Sequence, residues 1–278
     1  MSAGLLQIDR VVGGRRFARL ARRVDVLDIT TSTNDVVFEH LNDPDADGRV
    51  AFAEQQTAGR GRFGRSWISP RGGGVVCSVL LVDSDAQPLP AIDALALIGG
   101  IATVEAILHS TGICATLVWP NDVFIAERKV AGILVESRTR TDRRRAYAMG
   151  IGINCLQHAG HFPPELRSRA TSLYVESRAA VDREAVAGAL LSGLDRWLSE
   201  PRRWSADQVR GAYLRCAAPL GGAVRLRSDG VDYTGHVLDI DPAAGLLVQL
   251  DDGGRRVFPA ASTSVMARRE SNPPPQGE

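Results

Sequence analysis

Between Ala53 and Gly74 the chain reads AEQQTAGRGRFGRSWISPRGGG, in which Gly59, Gly61 and Gly64 alternate with Arg60, Arg62 and Arg65. Glycine allows positive φ and close approach of backbone to a ligand. Arginine supplies a fixed fork of donors that matches carboxylate or phosphate oxygens. A loop combining the two at this density is suited to folding over an anionic ligand and releasing it again; the plainer alternative is a solvated turn with incidental charge. The same residues satisfy Gly-x-Gly-x-x-Gly, but a dinucleotide fingerprint needs a strand before it and a helix directly after. Here Pro70 and Gly72 to Gly74 follow and break any helix. A Walker loop is excluded because Gly-Lys-Ser and Gly-Lys-Thr do not occur.

Four further clusters carry groups of chemical interest. In VWPND, Val118 to Asp122, a strand is expected to end at Trp119, with Pro120 stopping the ladder and Asn121 and Asp122 at the turn; Asn-Asp after Pro is also an ordinary turn. In KVAGILVES, Lys129 starts a strand and Gly132 lets something approach the backbone, although a lone lysine at a strand start is commonly solvated. GIGIN, Gly150 to Asn154, is a glycine-containing strand ending on Asn154, or else a bulge. Thr31, Ser32, Thr33 and Asn34 precede VVFEHL and equally suit a helix N-cap. The five histidines are spread out, and His158 and His161 beside Gly160 lack carboxylate or cysteine ligands at metal spacing, so no protein metal site is expected. No Gly-x-Ser-x-Gly elbow is present.

The elements that must position these groups read as strands over VAFAEQQ, VVCSVLLV, TLVW, VFIAE, VAGILVES and YAMGIGINC, with a turn at Arg128. Helices are expected over Ala91 to Ser110 and Asp182 to Leu198, the latter opening on an aspartate. Several connections are too short for crossover helices, so an α+β fold with a mostly antiparallel sheet and packed helices follows. After Pro219 the texture changes to AVRLRS, YTGHVLDI, GLLVQL and RRVFPA, short strands split by Asp, Gly and Pro, as in a small β-barrel. The organisation expected is a basic segment over 1–24, a main domain over 25–216, a small β-barrel over 217–269 and a disordered tail over 270–278. Within the first segment, Arg15, Arg16, Arg19, Arg22 and Arg23 suggest a short basic helix with a solvated face.

With 278 residues, 44% hydrophobic and 23% charged, the chain has globular composition and length for about two domains at about 150 residues each. Thirty-three basic and 32 acidic residues leave a net charge of +1, which gives no global case for a nucleic-acid or membrane-surface protein. The space before Thr31 is too short for a helix-turn-helix reader, so no DNA partner is expected. Cys77, Cys114, Cys155 and Cys216 form no Cys-x-x-Cys pair, in keeping with a reducing, cytoplasmic setting. The apolar run Leu89 to Leu108 is interrupted by Asp93 and Glu105 and reads as a buried core helix, not a membrane span.

Taken in order, TSTN, EQQTAGRGRFGRSW, WPND, KVAGILVES and GIGIN resemble the biotin protein ligases. The resemblance covers the main domain and extends to a small C-terminal SH3-like β-barrel, and the lack of an N-terminal reader resembles the monofunctional class. It implies that biotin and ATP give biotinyl-5′-adenylate and pyrophosphate, and that biotin then passes to one lysine of a biotin carboxyl carrier protein. Mg²⁺ would be held through the phosphates, and the enzyme would be a monomer or homodimer. Carried over by motif, the biotin contacts fall on Ser32, Thr33, Asn34 and Gln56, with Arg60, Gly61 and Arg62 in the loop that closes on the adenylate. Lys129 matches the lysine near the biotin carboxylate and phosphate, beside Gly132. Trp67 matches the tryptophan beside the adenine, and Asn121, Asp122 and Asn154 fall on the nucleotide side. One position departs: where the family reads Lys-Trp-Pro-Asn-Asp, this chain has Val118.

The chemistry of such a reaction suits these residues. Bringing a carboxylate to the α-phosphorus of ATP needs cations and in-line positioning but no protein nucleophile. Arg60, Arg62 and Lys129 supply the cations, and Asp122 is a candidate base for the attacking lysine. Three alternatives stay open: a lipoate or octanoate transferase of the same superfamily, an RNA-binding arginine-glycine module, and an adenylate-binding sensor allowed by Val118.

Overall fold

The computed structural model describes residues 5–85, 87–177, 179–200 and 204–269; the tail expected over 270–278 lies outside them. A short helix α1 (Ile8–Val12) leads into β1 (Val24–Thr30), α2 (Thr33–Glu39), β2 (Val50–Gln56) and β3 (Gly74–Val82). The long helix α3 (Ile92–Thr111) is followed by β4 (Thr116–Val118), β5 (Asp122–Ile125), β6 (Arg128–Thr139) and β7 (Arg145–Asn154). Three more helices, α4 (Leu173–Glu176), α5 (Arg183–Leu198) and α6 (Ala206–Cys216), precede the C-terminal strands β8 (Ala223–Ser228), β9 (Val231–Asp241), β10 (Gly245–Leu250), β11 (Arg255–Phe258) and β12 (Thr263–Arg269).

The first seven strands form one sheet in the order β1-β2-β3-β7-β6-β5-β4. Only β1 and β2 run parallel, joined through α2, and every other neighbour pair in the sheet is antiparallel. The fold is therefore α+β with a mostly antiparallel sheet. Strand β3 lies between β2 and β7 and is buried on both faces, which is why GVVCSVLLV lacks alternation. Val75, Cys77, Val79 and Leu81 join α3 and α5 in the main core, while Leu80 and Val82 pack with Val37 and Phe38 of α2 on the opposite face.

Helix α3 is long and apolar enough to cross a membrane, yet Leu95, Ile98, Ile101 and Ala102 are fully buried and the helix packs on the sheet and α5. The sequence expectation of a core helix holds. Helix α5 is capped by Asp182, which accepts the Ala185 N–H. The second sheet has the order β11-β10-β9-β8-β12, all antiparallel, and its Val224, Leu226, Val237 and Phe258 continue the main core.

Four expectations are corrected. The arginine-rich stretch after α1 is not helical: the Asp195 carboxylate on α5 accepts the consecutive N–H groups of Ala18, Arg19 and Leu20 at 2.7–2.8 Å, which fixes a non-helical turn. Its face is solvated at Arg15, Arg16, Arg22 and Arg23 but not at Arg19, which is 1% exposed and held by Asp47 and the carbonyls of Leu198 and Val82. The β5–β6 turn falls on Ala126 and Glu127, so Arg128 opens the strand, and β4 ends at Val118, one residue before Trp119. Helix α6 and strand β12, neither expected, complete the helical layer and the second sheet.

Candidate active site

The candidate site lies on the α2 face of the large sheet, in a cavity of about 1200 Å³ that also reaches the second sheet. Ser32, Thr33, Asn34, Gln56, Arg60, Gly61, Arg62, Trp67, Asn121, Asp122, Lys129, Gly132 and Asn154 all line it. Every residue that the resemblance assigned to the site is thus brought to one cavity, while Thr31, Gly59 and Gly64 of the same motifs do not line it.

Its polar end is made where α2 begins and β2 ends. Ser32 sits at the N-cap of α2 but its side chain makes no capping bond. The Thr33 N–H donates to Gln56 Oε1 at 2.7 Å, and Asn34 Nδ2 donates to Glu136 Oε2 at 2.6 Å. Beneath them the fully buried Ser78 places its hydroxyl 2.6 Å from both Thr33 Oγ1 and Asn34 Oδ1.

The glycine-arginine segment forms a short hairpin, not a loose turn. Gly61 N–H bonds Arg65 O at 2.7 Å and Trp67 N–H bonds Gly59 O at 2.9 Å, with Phe63 and Gly64 at positive φ at the tip. Its three arginines differ. Arg60 makes a bidentate pair with Asp35 at 2.7 and 2.9 Å and a second pair with Glu136 at 2.9 Å. The hydrogen bond from Arg60 holds the Asp35 carboxyl below the usual carboxylate range. Arg62 is held by neutral acceptors, Asn121 Oδ1 in the β4–β5 turn at 3.2 Å and, across at the second sheet, Thr263 O at 3.3 Å and Ala260 O. Burial lowers its pKa, opposed by the nearby Asp122 and Asp93 carboxylates. Arg65 is exposed.

The far wall comes from β5, β6 and β7. Lys129 Nζ lies 2.6 Å from Asp122 Oδ1 and 5.8 Å from the centre of the Trp67 ring. Asn121 and Asn154 bond backbone: Asn121 Nδ2 to Ile133 O at 2.7 Å, Asn154 Nδ2 to Thr171 O at 3.0 Å. Gln157 Nε2 donates to Asn154 Oδ1 at 3.0 Å, fixing that amide from behind. Gly150 and Gly152 pair in regular register with both neighbouring strands, so GIGIN is not a bulge. Their lack of side chains makes room: a Cβ at Gly150 would stand 2.6 Å from Asn34 Oδ1, and one at Gly152 only 2.4 Å from the Trp67 ring. Trp67 Nε1 is buried without a hydrogen-bond partner.

Arg60 and Lys129 are each paired with carboxylates, whereas Arg62 keeps neutral hydrogen-bond partners. Ser78, Glu136, Asp35 and Gln157 were not picked out from the sequence. Ser78 alone left a signal, as the one polar residue in GVVCSVLLV. Val118 lines the cavity opposite Asp122 in the β4–β5 hairpin and contributes no charge.

Residues 26–154 match the model of the biotin/lipoate A/B protein ligase family. Over 252 residues the chain is 34% identical to a biotin--[acetyl-CoA-carboxylase] ligase of Mycobacterium tuberculosis, covering 89% of this chain and 90% of the relative. It is 32% identical to the bifunctional ligase/repressor BirA of Bacillus subtilis over 84% of this chain and 71% of that protein. Among solved structures, a biotin protein ligase from Aquifex aeolicus in complex with biotin and ATP superposes with a TM-score of 0.73 at 28% identity, covering 90% of this chain and 100% of that one. With its motifs gathered in one cavity and relatives matched over most of their length, the chain belongs to the biotin protein ligases of the biotin/lipoate A/B protein ligase family.

Proposed function

We infer that this chain is an ATP-dependent biotin protein ligase. Biotin and ATP give biotinyl-5′-adenylate and pyrophosphate, and the biotinyl group then passes to a lysine of a carboxylase's carrier. The observation that carries this is the union, in one cavity, of a hydrogen-bonded polar end, a glycine-arginine hairpin and a wall holding Lys129 and Asp122. The residues fit the substrates. Thr33, Asn34 and Gln56 suit a small polar head, while the unused Trp67 Nε1 donor and the glycine strip beneath it suit a flat ring with polar edges.

In the first step a biotin carboxylate oxygen attacks the α-phosphorus and pyrophosphate leaves. Arg62 and Lys129 stand where they can offset the negative charge that gathers there. Mg²⁺ would arrive on the phosphates, with Asp122 as a protein carboxylate able to reach it; it supplies further charge neutralisation. In the second step the carrier's lysine amine attacks the acyl carbon, AMP leaves, and Asp122 takes the amine's proton once Lys129 turns to the phosphate. Water would hydrolyse the mixed anhydride, so the hairpin serves also as a lid. We assign 25–216 to catalysis and 217–269 to an accessory unit, supported by their separate sheets, and we expect action on a carrier protein and not on DNA, as a monomer or homodimer in the cytoplasm.

The test is biotin-dependent pyrophosphate release from ATP and Mg²⁺, with octanoate and lipoate as controls and mass spectrometry for biotinyl-adenylate. Release with biotin alone is expected. Release with octanoate or lipoate instead would assign a lipoate-type ligase. Biotin binding without release would mark a sensor, and Val118→Lys would then be the variant to measure.

A further inference from the structure

We propose that Ser78 and Glu136 are positioning residues that together fix which way the Asn34 amide points and so set the hydrogen-bonding pattern met by the ligand's polar head; this rests on the ligase reading above. Ser78, Gly150 and Leu134 form one row across β3, β7 and β6, with Ala148 and Glu136 in the next. Gly150 leaves the space into which the Asn34 amide descends. At the bottom of that space the amide is gripped from both ends, by Glu136 Oε2 at 2.6 Å from Nδ2 and Ser78 Oγ at 2.6 Å from Oδ1.

The order of protons follows from valence. Glu136 is paired with Arg60 and as a carboxylate accepts only, so Asn34 must turn Nδ2 toward it and Oδ1 toward Ser78. Asn34 Oδ1 also only accepts, so the single Ser78 proton goes there. The 2.6 Å contact between Ser78 Oγ and Thr33 Oγ1 then takes its proton from Thr33. Gln56 Oε1 is served by the Thr33 N–H at 2.7 Å; the Thr33 hydroxyl also lies 3.1 Å from that oxygen, but its single proton is committed to the shorter contact with Ser78. Thr33 Oγ1 is left to the cavity as an acceptor and Gln56 Nε2 as a donor. A serine with no exposed surface on a strand of aliphatic residues is costly unless its hydroxyl is fully used, and here it is used from two sides.

Three variants test this: Ser78→Ala, Glu136→Gln and the double variant, each assayed by pyrophosphate release against biotin and against ATP, with biotin binding measured by calorimetry and folding by thermal melting. Ser78→Ala frees the amide at one end. Glu136→Gln lets the new amide donate to Asn34, so the flip is no longer enforced. Each should raise the biotin KM about tenfold while kcat and the ATP KM change less than about twofold. Because both act through the Asn34 amide, the double variant should fall well short of the product of the two. An unchanged biotin KM in folded Ser78→Ala protein, equal losses for ATP and biotin, or fully multiplicative effects would overturn the proposal. Wild-type protein that neither binds biotin nor releases pyrophosphate would instead overturn the ligase reading, and this inference with it.

Discussion

Replacing Gly152 by alanine adds one carbon atom, and the structure says where it goes. The new Cβ would stand 2.4 Å from Trp67 Cε2, 2.6 Å from Nε1 and 2.7 Å from Cζ2. Carbon atoms settle at about 3.5–4.0 Å, so the indole must lift by about 1 Å or swing aside. Gly152 lies in a regular ladder, and the three nearest obstructing atoms all belong to the indole of the hairpin. The damage should therefore fall on the nucleotide side of the cavity and not on folding. A displacement of about 1 Å in a positioning group costs on the order of 100-fold, equivalent to about 2.7 kcal/mol of transition-state stabilisation. The measurement is kcat/KM for ATP at saturating biotin, beside biotin affinity without ATP. We expect a loss of about 100-fold in the first and less than about twofold in the second. Gly150→Ala, two residues away on the same face, meets Asn34 instead at 2.6 Å and should show the reverse pattern. Wild-type kcat/KM for ATP in Gly152→Ala, or equal damage to both substrates in both variants, would refute the division of the cavity into two ends.

Lys129→Ala removes the cation beside Asp122 and should abolish adenylate formation, read as the loss of the pyrophosphate burst. Arg62→Ala should leave the adenylate forming but speed its dissociation, followed by filtration of preformed labelled adenylate; unchanged release would clear Arg62 of that role. Glu54 and Arg183 form an ion pair at 2.7 Å with only 2% and 5% of their side chains exposed. Arg183→Ala strands the carboxylate and should cost about 3–5 kcal/mol of stability, read by denaturant titration. Burial pushes the thiols of Cys77 and Cys155 up to about 12, while Cys114 is exposed. A thiol reagent at pH 8 should modify Cys114 first and reach Cys77 and Cys155 only on unfolding.

The parts of the fold that could be read from the sequence were those set by local pattern. Strand runs bounded by turn residues, the apolar run of α3 and the Asp182 cap of α5 depend on neighbours a few positions away. Helix α6 was not legible because only Val209, Ala212 and Tyr213 of its residues are buried, a pattern too sparse to stand out. Motif residues reached the right cavity, but their charge states did not follow from motif. Arg60 meets Asp35, 25 positions earlier, and Glu136, 76 positions later. Arg19 is likewise turned inward by Asp47, 28 residues away, while Asp195 fixes its backbone from 176 residues away. Such pairings are created by the folded sheet and leave no periodic trace in the chain.

Arg62 bridges to the second sheet through carbonyl oxygens that have no charge of their own to cancel, and this makes entry to the cavity a contest. A substrate anion that recruits this arginine must outbid the Asn121, Ala260 and Thr263 oxygens together. A strongly charged phosphate group can do so; a weak or badly placed anion recovers less than it displaces. The resting contact thus acts as a threshold. For any anion that recruits Arg62 it would lower affinity by the same amount, so that only an anion with a large interaction of its own would offset it.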